Sequence, residues 1–203
     1  MNANPLLLPE HTIISLISQK GGVGKSAIAR LLAVEFMRAG WTVKIADLDT
    51  MQGTSTKWKM RRDAAKVQPE VPVEKFATIE RALREAEKYD LLLLDGPAHA
   101  EKGGLSMARK SKLILMPTCY GLDDLEAQIE AAYELEENGI DRSRIWFIFS
   151  RTTGSANEEQ TARDYLQRAQ INVLGAVLPE LPSSLSDLAG RWRFGRDRRD
   201  LAS

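Results

Sequence analysis

The stretch that decides the fold covers residues 18–26 and reads Ser18-Gln19-Lys20-Gly21-Gly22-Val23-Gly24-Lys25-Ser26. An apolar, β-branched run precedes it at residues 12–17, and residues 27–36 have the apolar spacing of a helix. A strand, a glycine-rich loop and a helix in this order are the context in which such a loop binds phosphate. The sequence therefore predicts a phosphate-binding loop at the end of the first strand.

This loop has the residues that hold a nucleoside triphosphate. Glycines allow successive backbone N–H groups to point toward one centre, and the N-terminus of the following helix adds a partial positive charge there. Lys25 would neutralise the β- and γ-phosphates, and the Ser26 hydroxyl would bind Mg²⁺. We therefore expect ATP and Mg²⁺ as ligands, with nucleotide contacts from Gly21, Gly22, Val23, Gly24, Lys25, Ser26 and Ala27.

The bulk properties of the chain are those of a globular protein with one domain. It has 203 residues, a formal net charge of zero and one cysteine, Cys119. No apolar run is long enough to span a bilayer, the N-terminus lacks the features of a signal peptide, and one cysteine excludes an internal disulfide framework. We expect a single cytoplasmic domain over residues 1–203, with its core at about 12–180 and a C-terminal helical basic segment at 183–203.

Apolar runs alternate with helical patterns along the chain, which is typical of an α/β fold with crossover helices. We predict a mostly parallel, twisted β-sheet with helices on both faces, as in single-domain P-loop NTPases. Beyond the first strand and helix, strands are predicted at 42–46, 91–94, 112–117, 144–149 and 173–178. Helices are predicted at 78–88, 122–138 and 156–169.

Several polar residues follow these predicted strands, where open α/β sheets bind their ligands. Asp95 comes after four leucines and resembles a Walker B carboxylate, which holds Mg²⁺. The alternative for Asp95 is an acid that caps a strand end through loop amides. Asp47 and Asp49 follow the second strand, so we expect them to lie near the same site.

Lys20 adds a second lysine at the front of the loop. The pattern Lys20-Gly21-Gly22-Val23-Gly24-Lys25-Ser26 is a deviant Walker A motif, and the chain here resembles the ParA/MinD family of P-loop ATPases over about residues 12–191. The resemblance implies that Lys20 reaches the nucleotide of a partner subunit, so that ATP binding and homodimerisation are coupled. The alternative is that Lys20 only adds positive potential near the phosphates.

The resemblance also implies roles for other residues of the site. Asp49 would position or activate the attacking water, which makes Lys20, Lys25 and Asp49 the expected catalytic residues. Asp47 would lie near the magnesium, with Ser26 and Asp95 as the other metal residues. For Asp49 the alternative is a surface turn acid, and Thr50 stands where proline is usual. Adenine contacts are expected from Arg151 and Pro179, with Ser150 where the family often has asparagine.

The C-terminal stretch 191–203 contains five arginines against two aspartates. By resemblance to ParA-type members, Arg191, Arg193 and Arg196 are candidates for nonspecific contacts with DNA phosphates. A solvated helix face is the alternative. A second basic run surrounds Trp58 at residues 57–62, with the same two interpretations.

The leading functional interpretation is a slow, partner-stimulated ATPase that dimerises with ATP and binds DNA nonspecifically. It would partition plasmids or chromosomes, or position cargo on the nucleoid, with a ParB-like or cargo-adaptor protein stimulating hydrolysis. One alternative is a membrane-associated regulator of the MinD type, although Gly190 and Gly195 interrupt the tail and no stable membrane association is expected. Another is a biosynthetic P-loop ligase or kinase. A shared iron–sulfur cluster needs two cysteines per chain, which excludes that class of ATPase.

Overall fold

The computed structural model describes residues 11–97 and 101–180. They form a seven-stranded sheet in which all the paired strands are parallel, in the order β3-β2-β4-β1-β5-β6-β7. The strands are β1 (Thr12–Leu16), β2 (Val43–Asp47), β3 (Val73–Lys75), β4 (Leu91–Asp95), β5 (Leu113–Thr118), β6 (Ile145–Thr152) and β7 (Asn172–Pro179). The predicted α/β class with a parallel sheet is confirmed.

Six α-helices connect these strands. They are α1 (Lys25–Arg38), α2 (Thr54–Ala64), α3 (Ile79–Leu83), α4 (Glu101–Lys110), α5 (Leu122–Glu137) and α6 (Ala156–Arg168). Short 3₁₀ turns lie at Ala86–Lys88 and Arg142–Arg144. The fold is that of P-loop NTPases, with helices on both faces of the sheet.

The interior strand β4 shows how both faces of the sheet are buried. Successive side chains of a strand point to opposite faces. Leu91 and Leu93 pack in a cluster with residues of α1 and with Trp58 of α2, whereas Leu92 and Leu94 pack with Met107 of α4. A third cluster, built on β5, β6, α5 and α6, extends the second face. A run of four leucines is therefore required here, since neither face meets solvent.

Several elements differ from the sequence-based expectation. The helix predicted at 78–88 is two short pieces, α3 and the 3₁₀ turn, and between them Glu85 forms an ion pair with the buried ammonium of Lys44 at 2.8 Å. The strand predicted at 144–149 continues to Thr152. The elements α2, β3 and α4 were not predicted. Their sequences explain this, because α2 is mostly polar, β3 has three residues, and α4 contains two glycines.

Strand register sets the position of the site. Asp95 is the last residue of β4 and lies beside Leu16 of β1 on one side and Asp47 of β2 on the other. The parallel arrangement therefore brings both carboxylates to the edge of the sheet from which the glycine loop leaves β1.

Candidate functional site

The glycine loop leaves β1 and enters α1 at Lys25. Gly22 and Gly24 have φ angles of 76° and 94°, in the left-handed region that side chains with a Cβ rarely adopt. Gly24 is also the N-cap of α1, and no side chain caps this helix end. The N–H groups of the first helical turn consequently face the loop, which is the arrangement that attracts phosphate.

Lys25 lies at the centre of the loop. Its side chain is buried, and Nζ donates a hydrogen bond to Ser18 Oγ at 2.8 Å, while Ser18 Oγ donates to the Lys20 carbonyl at 2.8 Å. Burial lowers the pKa of Lys25 from its usual value, and attraction to the carboxylates of Asp95 and Asp49 opposes that shift. The ammonium is therefore held in a partly desolvated position, where it would interact strongly with phosphate.

Two hydroxyl groups bind the Asp95 carboxylate. Ser26 Oγ donates to one oxygen at 3.1 Å and Ser55 Oγ donates to the other at 2.7 Å. Burial raises the pKa of Asp95 to about 6, while the two hydroxyl bonds act in the opposite direction and the nearby charge of Asp47 raises it further. Thr54 Oγ1 is 2.9 Å from Ser26 Oγ, so the start of α2 joins the same cluster.

Asp47 lies next to this cluster and is fully buried. One of its oxygens accepts hydrogen bonds from the backbone N–H and the hydroxyl of Thr56, at 3.0 and 2.8 Å. The other oxygen has no hydrogen-bond partner among the described residues. Since a buried carboxylate oxygen without a partner is costly, Asp47 suits a site that takes up a cation.

These groups fit a magnesium ion that is bound together with phosphate. The structure brings together Ser26, Asp47 and Asp95, the three residues predicted for the metal. In the described ranges there is no group of three or more His, Cys, Asp or Glu side chains that could hold a metal alone. Mg²⁺ typically keeps several waters and takes one or two carboxylates plus substrate phosphates, which agrees with this limited set.

Asp49 lies in the loop between β2 and α2. One carboxylate oxygen accepts from the Gln52 N–H at 3.0 Å, and the Asp49 carbonyl accepts from the Gly53 N–H at 2.8 Å. These bonds form a tight turn, the arrangement expected of a turn acid. Asp49 is nevertheless close enough to Lys25 for its charge to affect the pKa of that ammonium. The structure therefore places Asp49 beside the loop, and its role with water stays a prediction.

Lys20 lies in the front part of the loop, and its side chain is 43% exposed. Its ammonium forms a salt bridge with Asp124 Oδ1 at 2.7 Å and donates to the Asp123 carbonyl at 3.2 Å. The bond to Asp124 raises the pKa of Lys20. Both aspartates lie in the first turn of α5, so Lys20 links the loop to that helix.

The residues expected near adenine lie at the ends of β6 and β7. Arg151, at a positive φ of 55°, donates through Nη1 to the Gly22 carbonyl at 2.8 Å and forms an ion pair with Glu180 at 2.7 Å. Pro179 is paired with Thr152 in the sheet register. Both Arg151 and Pro179 are thus on the loop side of the sheet, and contact with a base stays a prediction for both.

The contacts of several residues in the site were not predicted from the sequence, and all of these residues contribute hydroxyl or amide groups. The run Thr54-Ser55-Thr56 carried a visible signal, because three hydroxyl residues follow a glycine just after the predicted acids. Others gave no local signal, since their partners lie more than 100 residues away. They are Gln128, whose amide contacts residues 17 and 19, and the loop contact of Ser150, a residue that the resemblance placed near adenine and that donates to the Val23 carbonyl.

The two basic segments have different outcomes. Arg191, Arg193 and Arg196 lie outside the described residues. In the run at 57–62, Trp58 and Arg62 are buried, and Arg62 lies over the Trp58 ring at 4.8 Å. Lys59 is paired with Asp63 at 2.5 Å. This run is therefore not a continuous basic surface, because part of it belongs to the packing of α2 against the sheet.

None of the helices in the described part of the chain combines the length and apolar character needed to cross a membrane. A search of curated protein sequences finds no match.

Solved structures show the same fold. A Borrelia burgdorferi protein assigned to plasmid partition, bound to AMPPNP, superposes with a TM-score of 0.65 at 15% identity, covering 95% of this chain and 94% of that one. The septum site-determining protein MinD of Pyrococcus horikoshii, complexed with Mg-ADP, gives a TM-score of 0.66 at 22% identity, with coverages of 88% and 86%. The McdA protein of Cyanthece gives 0.67 at 13% identity, with coverages of 88% and 90%.

A protein-family match agrees with the loop and its surroundings. Residues 14–189 match the family described as the CobQ/CobB/MinD/ParA nucleotide binding domain. This range includes the end of β1 from Ile14 onward, the glycine loop, both carboxylates and every later strand of the described residues. With its glycine loop and carboxylates arranged on this fold, the chain belongs to the CobQ/CobB/MinD/ParA nucleotide-binding family.

Proposed function

We propose that this protein is an ATPase switch that dimerises with ATP and serves in the partition of DNA or the positioning of another cargo. The observation that carries the proposal is Lys20. Its side chain is partly exposed and bound to Asp124 of α5, which follows β5, whereas the buried carboxylates end β2 and β4, on the other side of β1 in the sheet. A cation at this place is available to the nucleotide of a second subunit, where it would stabilise charge in phosphoryl transfer.

Residues of this chain account for binding and for the chemistry. Lys25 and the loop N–H groups would hold the β- and γ-phosphates, and Ser26, Asp95 and Asp47 would hold magnesium, which would neutralise charge on the phosphates. Asp49 would orient a water molecule for attack on the γ-phosphorus, giving ADP and inorganic phosphate. We propose orientation of the water, held by the carboxylate, as the contribution of Asp49. We propose that hydrolysis is slow until a ParB-like or cargo-adaptor protein stimulates it.

Nonspecific DNA is the proposed matrix, with Arg191, Arg193 and Arg196 as the proposed phosphate contacts. Two copies of a weak basic patch in one dimer bind together more strongly than either copy alone. DNA binding would thus depend on ATP, and the protein would be cytoplasmic and associated with the nucleoid. The likeness to the Borrelia partition protein supports this proposal.

The test is DNA binding by the purified protein with ATP, with ADP and without nucleotide, across a salt series. The proposal predicts binding only with ATP, independent of DNA sequence, and steeply weakened by salt. Changing Arg191, Arg193 and Arg196 together to alanine should weaken binding and flatten its salt dependence. Equal DNA binding with ATP and ADP would argue against the switch.

A membrane-associated regulator of the MinD type is the second candidate, favoured by the likeness to Pyrococcus MinD at a similar TM-score. The same protein samples, sedimented with anionic phospholipid vesicles, separate the two candidates. ATP-dependent cosedimentation with vesicles and no DNA binding would select the membrane regulator.

A further inference from the structure

The backbone of the glycine loop is held from outside by side chains. Three carbonyls of the loop, and that of Ile17 just before it, accept side-chain hydrogen bonds: Ile17 from Gln128 (3.1 Å), Gly22 from Arg151 (2.8 Å), Val23 from Ser150 (2.6 Å), and Lys20 from Ser18 within the loop itself (2.8 Å). By contrast, no backbone N–H of residues 21–24 donates to another residue in the described ranges. The loop thus directs its carbonyls to protein donors and keeps its N–H groups for a ligand.

Ser150 packs against the loop from β6. It is 2% exposed, and its hydroxyl hydrogen is used in the bond to the Val23 carbonyl. The Ser150 Cβ and Oγ also lie 3.4 Å from the point where a Cβ on Gly24 would stand. A Cβ at position 24 would therefore stand in van der Waals contact with Ser150. The Ser150 side chain therefore contacts the loop at Val23 and Gly24, the two residues that precede Lys25.

Gln128 holds the beginning of the loop from α5. It is 3% exposed, and both ends of its amide are used. Nε2 donates to the Ile17 carbonyl at 3.1 Å, and Oε1 accepts from the Gln19 N–H at 3.3 Å. Only an amide side chain supplies a donor and an acceptor at this spacing, since a carboxylate accepts and does not donate at neutral pH.

We propose that Ser150 and Gln128 are positioning residues, which preorganise the loop so that it binds a polyphosphate without help from the base. The inference rests on the proposed function, because it assumes that the loop binds the phosphates of ATP. It assigns Ser150 to the loop, although Ser150 occupies the position at which the family resemblance places an adenine contact. An unsatisfied buried carbonyl is costly, so removing either donor should let the loop leave its binding shape.

The experiment compares ATP with inorganic tripolyphosphate, both with Mg²⁺, by calorimetry on the full chain. Tripolyphosphate contacts the loop and has no base. Ser150→Ala should weaken the binding of ATP and of tripolyphosphate by a similar factor of about tenfold, the effect expected when a buried carbonyl loses its hydrogen-bond donor. Ser150→Thr keeps the hydroxyl and should restore most of the affinity. Thr152→Val is the matched control, because its hydroxyl lies in the same strand and makes no hydrogen bond to the loop.

Weakened ATP binding with unchanged tripolyphosphate binding in Ser150→Ala would overturn the inference and make Ser150 a base contact. Gln128→Glu is the second variant, nearly isosteric, and it decides the question if Ser150→Ala fails to fold. It should weaken tripolyphosphate several-fold, and unchanged affinity would overturn the role of Gln128. Wild-type protein that binds ATP but no tripolyphosphate would overturn the preorganised loop. Wild-type protein that binds no ATP would instead refute the proposed function.

Discussion

The two sides of the glycine loop are built differently. On the side of β2 and β4, Asp47 and Asp95 are buried and fixed by the hydroxyls and N–H groups of α1 and α2. On the side of α5, Lys20 is partly exposed and bound by one surface ion pair, to Asp124. The first side suits chemistry that needs fixed groups, whereas an exposed ion pair contributes little and exchanges partners easily. One side is therefore buried and fixed, and the other is exposed and held by an ion pair that can exchange partners.

The largest expected effect is on the buried side. Lys25→Ala removes the ammonium at the centre of the loop and should weaken ATP binding at least about 100-fold. The reason is that the phosphates lose a charge-assisted interaction with a partly desolvated ammonium. Calorimetric titration with ATP and Mg²⁺ measures it. Lys20→Ala is the control and should keep most of the affinity. Near-normal ATP affinity in Lys25→Ala would refute the loop assignment.

The next effect concerns hydrolysis. Asp49→Ala should lower the hydrolysis rate about 100-fold, within the usual contribution of a positioned acid or base, and leave ATP affinity nearly unchanged. The rate is measured as phosphate release at saturating ATP, and the variant should accumulate in the ATP-bound state. Asp63→Ala, which removes an exposed acid of α2 paired with Lys59, is the control. Hydrolysis at the wild-type rate in Asp49→Ala would leave Asp49 as a turn residue.

The pKa of Asp95 predicts that the effect of Mg²⁺ on nucleotide affinity depends on pH, with a size between those of the other predicted effects. Its folded pKa of about 6 is above the ordinary value of 3.8, so the folded state without metal favours the protonated form. Its contribution to stability is therefore present at low pH and is lost as pH rises toward 6 and above. Magnesium needs the ionised form, so the effect of Mg²⁺ on nucleotide affinity should fall about tenfold between pH 7 and pH 5.

Nucleotide titrations at several pH values, with Mg²⁺ and with EDTA, measure this dependence. Asp95→Asn serves as the comparison, because it cannot ionise and should show little of the magnesium effect at any pH. A magnesium effect of constant size from pH 5 to 7 in the wild-type protein would contradict the metal assignment of Asp95.

The smallest effect is expected on the exposed side. Asp124→Asn removes the acid that holds Lys20 in one chain and should strengthen ATP-dependent dimerisation a few-fold, in line with the value of a surface ion pair. The free energy of unfolding should change by less than about 0.5 kcal/mol. Asp123→Asn is the matched control, because Lys20 contacts only the backbone carbonyl of Asp123. Weaker dimerisation in Asp124→Asn would show that Asp124 does more than hold Lys20.

The sequence predicted the parts of the site that have a local pattern. The glycine loop, Asp95 after four leucines, and Asp47 at the end of β2 follow from short motifs and from strand order. It could not predict that Gln128 and Ser150 bind the loop backbone, since these contacts span 111 and 127 residues and depend on the packing of α5 and β6. The basic run at residues 57–62 is a further case that the sequence could not predict, because Trp58 and Arg62 are buried in the fold.

Ion pairs between distant residues were the contacts that the sequence predicted least well. The residues around Lys20 in the chain do not predict its ion pair with Asp124, because Asp124 lies 104 residues away. The family resemblance concerns the contact of this lysine with a partner subunit, whereas the structure shows its contact within one chain. If Lys20 reaches the nucleotide of a partner subunit, as we propose, that contact and the bond to Asp124 would compete for the same ammonium.

The most direct test of the proposed partner contact of Lys20 is the mass of the protein in solution, measured by analytical ultracentrifugation with ATP and Mg²⁺, with ADP and Mg²⁺, and without nucleotide. We predict a dimer only with ATP in the wild-type protein, and a monomer under all three conditions for Lys20→Ala, although that variant still binds ATP. An ATP-dependent dimer of Lys20→Ala as stable as that of the wild-type protein would contradict the account.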